Sequence, residues 1–365
     1  MMHDRQGRRR STRWLTGAGR RGTLATAALA SVAVLAACGT SSGSGSSGSG
    51  SGGGAGYFKG KTITLIAPDK PGGSYDAYAR LFAPYLGQEL GATSNVENIA
   101  GAGTVAGSSQ MAAASPYGLT IGMVAVGADV ASLVEKQPGQ NFDMTKLSWI
   151  GQPAVVPNAL VTQPGATAQS FTALMHSGST VNVLDIRNGI GDTLNRVVFG
   201  AFGIKHKLDT GFESTSELKQ GFLAKDGQTI LEAMSTLYPL ISGNEAKPLL
   251  VTGSVSLPNY QKVLGGVPTI QSELSQVSLS SSNAAAVKEA LDLSNLADDF
   301  AAPAGLPASE LSALRQAFEK AAALPALQAQ ATKASLPLSF TPGSTLAGQV
   351  QTALANSKAI APYVS

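Results

Sequence analysis

Three glycine-bearing segments are the places where this chain can do chemistry: Pro71-Gly72-Gly73-Ser74, Ile99-Ala100-Gly101-Ala102-Gly103 and Arg187-Asn188-Gly189-Ile190-Gly191. Each lies between a β-rich run and an amphipathic helical pattern. Such a junction leaves the first N–H groups of the helix unpaired and adds the positive end of the helix dipole. Glycine lets an anion approach those groups closely. A charge-assisted hydrogen bond contributes about 1.5–3 kcal/mol. Three or four, less ordering costs, give micromolar affinity for a carboxylate or a phosphate, about −8 kcal/mol. Glycine at a single such turn also occurs as turn geometry alone, so no one loop decides the matter.

Other chemistries lack their residues. The 365 residues hold one Cys and three His, which excludes a disulfide framework, a multi-cysteine metal site and a histidine-based one. His176 stands in a helix-end pattern, His206 stands between Lys205 and Lys207 as a solvated residue, and neither has a motif partner. The scattered acids form no glycosidase pair. Gly39-Thr40-Ser41-Ser42-Gly43 has nucleophile-elbow spacing but no strand before it. Ala55 to Thr62 fits a loosened phosphate loop, yet it precedes a strand instead of following one. Gly101 to Gly107 approximates a dinucleotide fingerprint, but no acid follows near Leu119–Val126 to hold a ribose. The reading is a binding protein, not an enzyme, with no metal and no cofactor.

Residues 1–37 join seven Arg to an apolar run, Thr23 to Ala37, too short for a stable span. That is the shape of a secretory signal peptide. It ends Leu35-Ala36-Ala37-Cys38-Gly39, which matches the bacterial lipobox, so cleavage before Cys38 and lipidation of that residue are expected; the alternative is ordinary cleavage leaving a free thiol. Residues 39–56 are Gly and Ser apart from Thr40 and Ala55, a flexible leash reaching roughly 20–25 Å. Residues 38–56 therefore tether the folded part to the outer face of the cell membrane. Of 26 Lys and Arg, seven fall in the leader, against one of 23 Asp and Glu, so residue 38 onward carries 19 bases against 22 acids. A net charge of −3 removes the electrostatic argument for nucleic acid.

The positioning elements repeat one theme, β-run, glycine loop, helix. Thr62–Ala67 leads to a helix from about Ser74, read as its N-cap, with Tyr78, Leu81, Phe82, Tyr85 and Leu86 on one face. Asn95–Asn98 leads to a small-residue helix through Gly107 and Met111, then a strand at Leu119–Val124. Val181–Ile186 leads to a helix with Leu194, Val197, Val198 and Ala201 on one side. Ala308–Ala323 reads as a packing helix, with Pro325 opening the next. This alternation predicts an α/β protein with largely parallel sheets. About 310 folded residues argue two lobes, with Pro-containing crossovers near Gln152–Pro164 and Phe300–Pro307.

Ile63 to Pro68, with Pro71-Gly72-Gly73-Ser74-Tyr75-Asp76-Ala77-Tyr78-Ala79-Arg80, is similar to the opening of the substrate-binding receptors of tripartite tricarboxylate transporters, the Bug-type extracytoplasmic solute receptors. The likeness continues through Val96-Glu97-Asn98 with Gly101-Ala102-Gly103, Ser115-Pro116-Tyr117-Gly118, Leu250-Val251-Thr252-Gly253, Gly266-Val267-Pro268-Thr269 and Phe300 to Pro307. It spans residues 57–365, weakest in the middle.

The resemblance implies a two-lobed, periplasmic-binding-protein-like flytrap with a sheet and flanking helices in each lobe. Its first lobe would take residues 57–154, its second 155–296, and 297–365 would cross back and add C-terminal helices. It implies a monomer that captures a small carboxylate and delivers it to one small and one large integral membrane subunit of a transporter. The alternatives are a sensor or scaffold of the same fold, and an exported hydrolase. Carried onto this chain, the ligand-binding residues are Gly72, Gly73, Ser74 and Asp76 with Gly101, Ala102, Gly103 and Thr104 in one lobe. The other lobe supplies Asn188, Gly189, Ile190, Gly191, Asp192 and Thr193. Asp69, Lys70 and Tyr75 depart from the family pattern and join the candidates, Lys70 for a ligand carboxylate and Asp69 or Asp76 for a ligand hydroxyl or ammonium. Glu232 is the nearest match to an acid that some relatives place for amino-acid ligands, and Phe212-Glu213-Ser214 replaces a family Tyr-Lys-Gly segment.

Overall fold

The computed structural model describes residues 54–364. The expected signal peptide, Cys38 and the linker up to residue 53 lie outside the described residues. The last linker residues depart from expectation. Ala55 and Gly56 open a helical turn, α1 (Ala55–Phe58), because Phe58 is buried in the first core and holds the turn down.

The chain builds two sheets. β1 (Thr62–Ala67), β2 (Thr93–Asn98), β3 (Thr120–Val124) and β4 (Ser148–Gln152) belong to the first. The second holds β5 (Asn158–Thr162), β6 (Val181–Ile186), β7 (His206–Phe212), β8 (Thr229–Ala233) and β9 (Lys247–Val251). β10 (Asp299–Ala302) and β11 (Thr341–Pro342) return to the first. The orders are β11-β4-β10-β3-β1-β2 and β7-β6-β8-β5-β9. The helices that matter below are α2 (Ser74–Leu90), α3 (Val105–Ala112), α4 (Val126–Val134), α5 (Phe171–His176), α6 (Ile190–Ala201) and α7 (Thr215–Ala224).

Three expectations need correction. The sheets are mixed, not largely parallel: β1 pairs parallel with β2 and β3, and β6 with β7 and β8, but β10 runs antiparallel to β3 and β4, and β5 to β8 and β9. The strands that reverse the pattern, β5 and β10, are those by which the chain enters a sheet from the other one. Phe300 already lies inside β10, so the return crossing precedes Phe300–Pro307. His206 is half-buried at the start of β7, its ring 5.2 Å from that of Phe199, so it is not a solvated residue.

Each sheet has its own core. Helix α2 buries Tyr78, Leu81, Phe82 and Leu86, and Phe82 stacks on Phe318 at 4.5 Å, with Phe300 4.4 Å from Phe318. Burying one such ring contributes about 1.5–3 kcal/mol. Leu184, Leu218, Phe222, Ile230 and Tyr260 fill the second sheet's outer core. A third cluster joins the two: Val126 and Val130 of α4, following the first sheet, pack with Leu194 and Val197 of α6, following the second, and with Val287 and Leu291 between them. No helix among the described residues is long and apolar enough to cross a membrane.

Candidate functional site

A cleft of about 870 Å³ opens between loops of the two sheets. Asp69, Lys70, Gly73, Ser74 and Tyr75 line it from the β1–α2 loop, and Gly101, Ala102, Gly103 and Thr104 from the β2–α3 loop. Asn188, Gly189 and Ile190 line it from the β6–α6 loop. Three junctions far apart in sequence thus meet at one cavity. Gly72, Asp76, Gly191, Asp192 and Thr193 do not line it.

Two of those five are loop clamps, built alike in both lobes. Asp76 accepts from the Gly72 N–H at 2.9 Å, and Asp192 from the Asn188 N–H at 3.2 Å, four residues back in each case. An arginine one turn on closes each clamp, Arg80 on Asp76 at 2.8 Å and Arg196 on Asp192 at 2.6 Å. Burial pushes the Asp76 carboxyl up, but Arg80, the Gly72 N–H and Asn98 outweigh it and hold it below the usual carboxylate range. Gly191 has a packing role. A Cβ there would sit 2.9 Å from Asp185 Oδ1 and 3.1 Å from Glu232 Oε1.

The α2 terminus holds a surprise. Its N-cap is Gly73, with extended backbone and no side-chain cap, not Ser74 as expected. Asp69 covers it instead. The Asp69 carboxylate accepts from the N–H groups of Asp76 (3.4 Å) and Tyr75, and a Cβ at Gly73 would overlap it. The Gly73 N–H goes to the Lys70 carbonyl at 3.2 Å. The chain's own carboxylate therefore occupies the helix end that the sequence offered to a ligand. Burial pushes the Asp69 carboxyl up to about 7, with repulsion from Asp76 adding and the two N–H groups opposing.

The second loop is strained and open to the cleft. Gly101, Ala102, Gly103 and Thr104 all have positive φ, 144°, 49°, 73° and 143°. A β-branched residue at φ 143° costs on the order of 1–3 kcal/mol and persists only where its surroundings hold it. Here the Thr104 hydroxyl donates to Asp129 at 3.3 Å, and Asp129 is fully buried. That burial pushes its carboxyl up to about 7, opposed by the nearby Ser108 hydroxyl and the hydrogen bond from Thr104.

Contacts bridge the cleft. A Cβ at Gly103 would lie 2.5 Å from the Asn188 carbonyl oxygen, so the second and third loops touch. Lys70 reaches Glu213 at 3.1 Å and Glu217 at 2.9 Å, residues that follow β7. Its ammonium is thus engaged by two glutamates of the other lobe. These side chains are partly exposed, so salt screens the pairs.

The cleft interior is acidic. Glu232, at the end of β8, and Asp298, just before β10, line it beside Asp69. Burial pushes Glu232 and Asp298 up to about 7, and repulsion from Asp69 and Glu232 adds to the effect on Asp298. Tyr75 stands among them, its phenol held protonated by burial and by Asp298, Asp69, Asp129 and Glu232. Among the described residues no three His, Cys, Asp or Glu side chains are placed to hold one metal ion. Sequence reasoning missed Asp298. The available signal was the Asp298-Asp299 pair against the wholly buried Phe300-Ala301-Ala302 in a chain with 13% charged residues.

No protein-family model matches the chain. Protein BugT of Bordetella pertussis is 33% identical over 122 residues, a match spanning 32% of this chain and only 36% of BugT. The structure of the periplasmic binding protein BugD superposes with a TM-score of 0.66 at 19% identity, covering 81% of this chain and 95% of BugD. MatC from Rhodopseudomonas palustris with bound malate gives 0.66 at 17% identity, covering 82% and 99%. The superpositions establish a shared two-lobed periplasmic-binding-protein fold. Over about a third of its length the chain is thus similar to BugT, and it shares its fold with BugD and MatC.

Proposed function

We propose that the chain is an extracytoplasmic solute receptor, tethered through a lipid on Cys38, whose two lobes close on a small organic acid. Residues 57–154 and 297–365 form one lobe, and 155–296 the other. The acid's carboxylate is held by the Gly101–Thr104 loop at the start of α3, whose N–H groups and dipole favour negative charge, and the Asn188–Ile190 loop meets it from the other lobe. Malate bound by MatC, a protein of the same fold, supports a carboxylate as the recognised group. The closed receptor hands its acid to one small and one large integral membrane subunit of a transporter.

The observation that carries this reading is the convergence of three strand–loop–helix junctions, from two lobes, on one cavity. Closure is a population shift: a ligand touching both lobes favours the closed form by its differential contacts. Calorimetry of the full chain against mono-, di- and tricarboxylates, aromatic acids and amino acids tests it. Saturable micromolar binding of at least one acid is expected, and heat-free titrations across the panel would sink the receptor reading. Pull-down with the membrane subunits then separates transport from sensing.

A further inference from the structure

The end of the first sheet that faces away from the cleft has a surface chemistry of its own. We propose that this base docks on a bilayer bearing anionic lipid, through Tyr117, Lys59 and Lys61. This rests on the lipid tether at Cys38 in the receptor reading above and says which face that tether sets against the membrane.

The cleft and the start of the folded chain lie at opposite ends of the first sheet. β1 pairs parallel with both β2 and β3, and residues that follow β1 and β2, Asp69 and Gly101 among them, line the cleft. Gly54 and α1 precede β1 and so stand at the other end, about 20 Å away along a six-residue strand. Lys59 and Lys61 lie in the turn into β1, and Tyr117 in the turn into β3. The two turns touch, since a Cβ at Gly118 would lie 3.1 Å from Phe58 Cζ. Residues 39–53 alone separate Cys38 from Gly54, and fully extended they span at most about 55 Å. A lipid on Cys38 therefore keeps this base within that distance of the bilayer. At so high an effective concentration a weak surface attraction is enough to orient the protein.

The side chains at the base suit a headgroup layer. Tyr117, 59% exposed, is the most exposed large hydrophobic residue among those described, and an amphipathic ring of this kind settles at headgroup depth. Lys59 is exposed, and Lys61 holds its ammonium 3.0 Å from the centroid of the Tyr57 ring. The acids nearby are engaged or covered. Glu89 faces Lys320 at 3.9 Å, and Glu310, 7% exposed, accepts from the Ser309 hydroxyl at 2.5 Å. At the opposite end five acids line the cleft against Lys70 and Arg187. An anionic surface thus attracts the base and repels the mouth, so the cleft opens away from the bilayer toward its solute. Each lysine near such a surface strengthens binding about fivefold. That is weak enough for the receptor to lift off and deliver its guest.

The test uses the lipidated full chain on phosphatidylcholine vesicles with and without phosphatidylglycerol. Flotation of the wild type, but not of Cys38→Ser, checks the tether. Depth is read with Tyr117→Trp and brominated phosphatidylcholine, which quenches a tryptophan at the headgroups. Removal of the leader leaves Trp149, 2% exposed, as the native tryptophan, and the wild type gives the baseline. Quenching above that baseline is expected on anionic vesicles and should vanish on neutral ones or in about 0.5 M salt. Lys59→Gln combined with Lys61→Gln should cut the ratio of docked to free receptor about 25-fold. Leu223→Trp, at a 47% exposed position on α7, should stay unquenched. Thermal unfolding checks each variant. Acetylation of wild-type Lys59 and Lys61, read by mass spectrometry, needs no substitution: anionic vesicles should protect both, and full reactivity overturns the docking. Flotation without quenching, equal quenching at both sites, or quenching indifferent to anionic lipid overturns the docking and leaves the tether in place. Absence of flotation overturns tether and docking together.

Discussion

Gly103→Ala is the sharpest probe of closure, because one methyl group separates strain within a lobe from collision between lobes. Gly103 has φ 73°, where an alanine costs about 1–2 kcal/mol, and that cost is the same whether the lobes are apart or together. The collision exists only when they meet. The added Cβ would stand 2.5 Å from the Asn188 carbonyl oxygen and 2.8 Å from Asn188 Cβ, against 3.4 Å for ordinary contact, so the loops must separate by about 0.9 Å. Backbone shifts forced by an added methylene cost about 1–3 kcal/mol. Charged to the closed form alone, that is about a 5- to 150-fold loss of affinity.

The assay is calorimetry of the full chain with whichever acid binds best, beside thermal unfolding without ligand. Gly305→Ala is the control: φ is 82° and nothing lies within 4 Å of its Cβ, so it carries the strain without the collision. Both variants should unfold at lower temperature, and only Gly103→Ala should lose affinity. An unchanged dissociation constant for Gly103→Ala would refute the idea that ligand binding brings these two loops together.

Stability of the ligand-free protein should fall as pH rises from about 4 to above 7. Asp69, Asp129, Glu232 and Asp298 titrate near 7 when folded and near 4 when unfolded, so the native state binds more protons in that window. Thermal melts at pH 5 and 8 read it, Asp298→Asn should flatten the difference, and a higher melting temperature at pH 8 would contradict it. Gly191→Ala should destabilise by about 1–3 kcal/mol through its approach to Asp185 and Glu232, seen as a lower denaturation midpoint; an unchanged midpoint would mean the pocket yields freely. Lys70→Met should weaken ligand binding slightly and remove part of its salt dependence, since Lys70 bridges to Glu213 and Glu217; identical salt slopes would show the bridge plays no part in closure.

Local features were legible where one residue's chemistry acts within its own element. The α2 and α6 faces follow from apolar spacing, and the buried residues Tyr78, Phe82, Leu194 and Val197 lie where the periodicity puts them. Strand direction was not legible. β5 and β10 have the same apolar character as parallel strands, and only the chain's route between the sheets makes them antiparallel. The glycine loops were recognisable as anion-friendly junctions, but which N–H groups remain free depends on side chains several residues away. Asp69 lies seven residues before Asp76 in sequence and at hydrogen-bond distance in space. Asp298 reaches the same cleft only because β10 returns to the first sheet.

The two lobes start from one local design and part at one residue. In each, a glycine N-cap with extended backbone precedes a helix, an aspartate in the first turn takes the N–H four residues back, and an arginine one turn later locks that aspartate. Clamping the loop this way fixes the helix N-terminus before any ligand arrives, which lowers the ordering cost of binding. The β1–α2 junction then spends its preorganised terminus on Asp69, whereas Asn188 and Gly189 leave the β6–α6 junction without such a plug. A carboxylate supplied by the protein cannot leave with the ligand, so within the first lobe the β1–α2 junction presents an acceptor and the β2–α3 loop is left to present donors. The same helix geometry that elsewhere favours an external anion is thereby satisfied, through a single aspartate, from within the chain.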